Sequence, residues 1–159
     1  MKTVLTSLIS VLLIINISVS QEINPTKQLI KNFYKDIFNN IKSPEEILKE
    51  YVVYSDSSVN DALSTINYYQ EGSNHNEAFV ISLKESMRNN TIKLLGYDEF
   101  KEEDKVKFLR FNQKRLQDIY KLSFDKNYSL YVLVKGQKIE SFFGFQKAGD
   151  DHYYFIIYP

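Results

Sequence analysis

The spacing of apolar residues changes along this chain, and that change limits what it can fold into. Leu29, Ile30, Phe33, Tyr34, Ile37, Phe38 and Ile41 recur at the period of an amphipathic helix, with Lys27, Lys31, Asn32, Lys35 and Asn39 opposite. Past Ile119 the pattern becomes short runs of aromatic and β-branched residues: Ile119–Phe124, Tyr128–Val134, Ile139–Phe145 and His152–Tyr158. The turns between them, Asp125-Lys126-Asn127, Lys135-Gly136-Gln137 and Ala148-Gly149-Asp150-Asp151, are too short for a parallel crossover. The expected fold class is therefore α+β, with N-terminal helices packed on a curved antiparallel meander.

The middle of the chain fills in the order of elements. Helix Pro25–Ile41 comes first, and Ser43-Pro44-Glu45-Glu46 carries the cap, the first-turn proline and the acids that start a second. Val52-Val53-Tyr54 is briefly extended. Two helices follow, one from Asn60 or Asp61 with Leu63, Ile66 and Tyr69 inward, one from Asn76 with Phe79, Val80, Leu83 and Met87 inward. Ile92–Leu95 reads as a strand. Residues 105–117 fit either a strand at Val106–Phe111 or a helix through Val106, Leu109, Leu116 and Tyr120. This order, ending in Tyr153-Tyr154-Phe155-Ile156-Ile157-Tyr158, resembles the cone-shaped NTF2-like domains. The resemblance implies a pocket cupped between helix and sheet, and a role as enzyme, ligand carrier or interaction module.

Residues 1–20 stand apart. Lys2, the apolar run Leu8–Ile15 and the small residues Ser18 and Ser20 form the three parts of a secretory leader, with cleavage expected after Ser20. Val4 to Val19 falls short of the roughly 20 residues that cross a bilayer, so no stable span is expected once the leader is removed. The expected location is secreted or periplasmic, with 21–159 forming a single globular domain.

Composition then excludes chemistry. The chain has no cysteine, so disulfides, thiol catalysis and cysteine-held metals are ruled out. Acidic and basic residues balance at 20 each, leaving no global field for nucleic acid. There is no G-x-S-x-G elbow, H-E-x-x-H pair or phosphate loop, and Ser123-Phe124-Asp125-Lys126 matches S-x-x-K only by coincidence. Neither an organic cofactor nor a metal is expected. Glu102-Glu103-Asp104 and the cations Lys105, Lys107, Arg110, Lys114, Arg115 and Lys121 read as halves that face one another or a solvated surface. Asn89-Asn90-Thr91 and Asn127-Tyr128-Ser129 match the N-glycosylation pattern, which matters only in a eukaryotic secretory pathway.

Two features carry the functional expectation. In the final run both alternating sets are apolar or aromatic: Tyr154, Ile156 and Tyr158 against Tyr153, Phe155 and Ile157. Such a strand is covered on both faces, one by the helices and the other by a ligand, a loop or a second subunit. The expected function is a secreted, non-catalytic binding domain for a small apolar ligand or protein partner, a second copy included. Tyr131, Phe143, Phe145, Tyr154 and Tyr158 are its expected binding residues. The competing expectation is a cofactor-independent hydrolase or lyase using His152 with Asp150, which requires a cavity beside the imidazole. A third is a structural component of an envelope. His75, in Gly-Ser-Asn-His-Asn, reads as a solvated connector.

Overall fold

The computed structural model describes residues 24–72, 77–125 and 128–158. The leader, His75 and Asn127 lie outside that range. Helix α1 (Pro25–Asn39) starts where the Asn24 side chain accepts from the Thr26 and Lys27 amides, and it buries Ile30, Phe33, Tyr34 and Ile37. It stops short of Ile41 because Asn40 takes a left-handed conformation, φ 52°, which turns the chain off the stripe and leaves Ile41 83% exposed. Helix α2 (Pro44–Tyr51) has the full capping box: the Glu46 amide donates to Ser43 Oγ and the Ser43 amide to Glu46 Oε2. Helices α3 (Val59–Gly72) and α4 (Ala78–Arg88) complete the first layer.

Strands β1 (Lys93–Gly96), β2 (Ile119–Ser123), β3 (Ser129–Lys135) and β4 (Lys138–Ser141) form an antiparallel sheet in that order, so the fold is α+β as the two apolar periods require. The extended run after α2 docks on its edge. The Val53 amide donates to Ile139 O, while Lys138 Nζ caps α2 by donating to the carbonyls of Lys49 and Glu50.

It is β3, and not the last strand, that is covered on both faces. Leu130, Val132 and Val134 join the main core under the helices, while Tyr131 and Leu133 enter a second core with Phe100, Phe108 and Ile119. None of those five β3 residues is more than 4% exposed. The cover on the second face is the crossing segment between β1 and β2. It contains α5 (Glu102–Lys105) and 3-10 turns at Tyr97–Glu99, Val106–Phe108 and Gln113–Asp118. Val106–Phe111 is thus not a strand. Only Phe108 and Phe111 of that run reach the second core, and Leu109 stays 66% exposed.

The run Ile139–Phe145 also divides. Leu133 pairs with Ser141 but Val134 with Ile139, so Glu140 is an extra, bulged residue that bends β4. Ser141 Oγ then donates to Phe143 O, and the chain leaves the sheet at Phe142. The Phe142 ring is wholly buried, 5.0 Å from Phe33 and stacked on Tyr158 at 5.2 Å. Its carbonyl accepts from the hydroxyls of both Tyr34 and Tyr69.

Phe142→Ala is expected to cost about 3–5 kcal/mol in urea unfolding, since it empties the point where three elements meet. Ser43→Ala is expected to cost about 1 kcal/mol, the worth of one helix cap.

Candidate functional site

Beyond Phe142 the chain forms a separate two-stranded ribbon, β5 (Gly144–Gln146) with β6 (Tyr153–Phe155), in register Gly144↔Phe155, Phe145↔Tyr154 and Gln146↔Tyr153. Gly144 permits the approach: a Cβ there would lie 2.4 Å from the Tyr154 carbonyl and 2.6 Å from the Tyr153 ring. Gly149, at φ 78°, closes the turn.

Alternation divides the ribbon. Tyr153 and Phe155 point into the second core, Tyr153 4.8 Å from Tyr131 and Phe155 stacked on Phe108 at 5.9 Å. Tyr154 points away and stacks on Phe145, with centroids 5.7 Å apart and planes 23° from parallel. Lys147 Nζ sits 4.9 Å from the Tyr154 centroid, a cation–π contact. Phe145 remains 44% exposed. The result is an outward pair of rings on a ribbon anchored from behind.

The five expected binding residues are not brought together. Only Phe145 and Tyr154 share this outward surface. Tyr131 is enclosed in the second core, and Phe143 packs half-buried against Tyr68 and Tyr69. Tyr158, after β6 has ended, turns back into the helical core. There its hydroxyl donates to Thr65 Oγ1, and its carbonyl accepts from Ser58 Oγ and the Ser55 amide.

Asp150, His152 and Tyr154 fall on one face at i, i+2 and i+4. The Asp150 carboxylate meets His152 Nδ1 at 2.6 Å, accepts from Tyr154 OH at 2.6 Å and from the His152 amide at 2.9 Å. These bonds, the tyrosine's first, hold the Asp150 carboxyl well below the usual carboxylate range. Bonded to that carboxylate, the Tyr154 hydroxyl is raised. Such an aspartate can orient an imidazole for base catalysis. Among the described residues no three metal-ligating side chains converge.

The unforeseen polar site is Asp104. Read from the sequence as one of a solvated acidic run, it is only 3% exposed. Lys121 Nζ donates to it at 2.6 Å, Lys107 Nζ lies 3.3 Å away, and Tyr131 OH donates to it at 2.5 Å. Both ammonium groups also lie over the Tyr131 ring, at 5.1 and 5.9 Å. Burial raises the Asp104 pKa, but the Lys121 and Tyr131 hydrogen bonds outweigh it and the carboxyl is lowered overall. The acidic and basic halves do face one another here, and also at Lys105–Glu102.

No protein-family model matches the chain, and neither does a curated protein or a solved structure.

Gly144→Ala is expected to separate β5 from β6, seen as loss of slow-exchanging amides at 144–155, and to destabilise by roughly 1–3 kcal/mol. Asp104→Asn tests linkage. A carboxyl lowered by folding stabilises above its ordinary range and stops doing so as pH falls through the folded value. The variant is expected to be weaker by on the order of 2 kcal/mol at pH 7. In urea titrations the gap from the native chain should narrow toward pH 3.

Proposed function

We propose that the chain is an exported, non-catalytic binding domain that engages a protein partner through the Phe145–Tyr154 surface. The observation that carries this reading is the half-exposed Phe145 ring, stacked on Tyr154 and held in place by the inward Tyr153 and Phe155. Flat aromatic anchors on a rigid support lose little entropy on binding and are typical centres of protein interfaces. Lys147 stands over one of the rings, and the Arg110 charge acts on the Tyr154 hydroxyl. With the Asp150 carboxylate bonded to the same tyrosine, both signs of charge flank the rings, and the complementary surface is an apolar pocket with a polar rim.

Export rests on the leader, with its basic start, apolar core and small residues before Gln21. Among the described residues no helix is long and apolar enough to cross a membrane. The resemblance to cone-shaped domains is compatible with an interaction module. A pocket between helix and sheet receives less support, since Phe33, Tyr34, Tyr69 and Phe142 fill that interface.

The test is a photo-crosslinking residue at position 145, in the full chain expressed in its own host, with the same residue at Lys49 on α2 as control. A discrete adduct at 145 and none at 49 is expected, its mass separating a second copy from another partner. No adduct at 145, or equal adducts at both positions, would overturn the proposal.

A further inference from the structure

The ribbon that carries the outward rings also presents a strand edge. The Ile156 amide donates to Phe143 O, which makes Gly144↔Phe155 a pair without mutual hydrogen bonds and Phe145↔Tyr154 the pair that exchanges them. The amides and carbonyls of Gly144 and Gln146 therefore point away from β6, along the outer edge of β5. Among the described residues no backbone hydrogen bond reaches them from another element. We propose that a second copy of this chain pairs there, β5 against β5 in antiparallel sense about a two-fold axis at Phe145. The inference rests on the binding surface proposed above and names its partner as the chain itself.

Edges of the main sheet are guarded. The outer side of β4 is met by the Val53 amide at Ile139 O, and β1 opens with the exposed charge of Lys93, which discourages pairing. Strand β5 is Gly-Phe-Gln and carries no charge of its own. Its pattern of outward groups is also self-complementary. With Phe145 at the centre, Gly144 of one copy faces Gln146 of the other, and their outward amides and carbonyls bond both ways while the ribbon's own pairing stays intact. Phe145 then faces its counterpart as a pair without mutual hydrogen bonds, where Cα atoms come within about 4.5 Å and side chains approach most closely. The 44% of Phe145 that one copy leaves exposed is covered by the same ring of the other. Stacked on Phe145 already, Tyr154 extends the contact to a row of rings across both ribbons. Lys147 and Asp150 flank that row with opposite charges, so two copies meet without a net like charge. An isologous pair of this kind needs nothing beyond what β5 presents. Three-residue strands bury little area, so the dimer is a weak one.

The test is sedimentation equilibrium of protein purified from its own host, comparing the native chain with Gln146→Pro and Gln146→Ala. Proline removes the outward amide, which the ribbon itself does not use, whereas alanine removes the same side chain and keeps the amide. A concentration-dependent dimer is expected for the native chain, at least tenfold weaker for Gln146→Pro and within threefold of native for Gln146→Ala. A second arm exploits the absence of cysteine from the chain. Phe145→Cys, placed at the two-fold axis within disulfide reach of its counterpart, is expected to form a covalent dimer under mild oxidation, and Ser64→Cys on α3 is not. The cysteine arm decides the matter should Gln146→Pro fail to fold. A native chain that stays monomeric at millimolar concentration would overturn the proposal, as would equal dimerisation of the two Gln146 variants or equal crosslinking of the two cysteine variants. A monomer that still gives a discrete adduct with another protein from position 145 would sink the self-pairing and leave the binding surface standing.

Discussion

Once the chain leaves β4, the carbonyl of Phe142 has no strand partner and lies where water does not reach. A buried acceptor in that position must be satisfied from somewhere. Tyr34 on α1 and Tyr69 on α3 both donate to it, and the ring of the same residue fills the space between Phe33 and Tyr158. One residue thus fixes two helices and the C-terminal run relative to the sheet. The two tyrosine hydroxyls are themselves satisfied there, which is why large polar-tipped rings are tolerated at the centre of a core without a disulfide.

The second constraint follows from β3. A strand apolar on both faces needs two covers, and the helices supply one. The other is irregular: short turns whose aromatic side chains descend onto Tyr131 and Leu133. Irregular backbone carries charged residues into the cover, and the Asp104–Lys107–Lys121 cluster with Tyr131 is how that charge is neutralised at the margin of the core. The same cover seats the β5–β6 ribbon, so the outward Phe145–Tyr154 pair depends on residues far from it in sequence.

The helices were legible because caps and stripes are local. Ser43 with Glu46 announces the start of α2 within four residues. The meander was legible from its turns. What could not be read were events set by tertiary geometry. The bulge at Glu140 and the exit at Phe142 break a run that looks uniform, and nothing in Ile139–Phe145 marks the break except Gly144. Two-sided coverage was expected of the final run, because Tyr153–Tyr158 carries more aromatic residues than β3, whereas β3 is the strand whose faces enter both cores. In fact that run divides its rings among the second core, the outer surface and the helical core. Asp104 was hidden by its acidic neighbours, since burial of one carboxylate among three depends on which way a short helix faces. The Asp150–His152 contact was visible as a spacing of two residues.

The tyrosine at position 158 has a consequence for synthesis. Its bonds to Ser58 and Thr65 span 100 and 93 residues, and the Tyr34–Phe142 bond spans 108. While a ribosome is still making the second half, α1 to α4 have already emerged with their apolar sides uncovered. Contacts this distant close late and slowly. The helical half therefore cannot close its core until Phe142 and Tyr158 have been made.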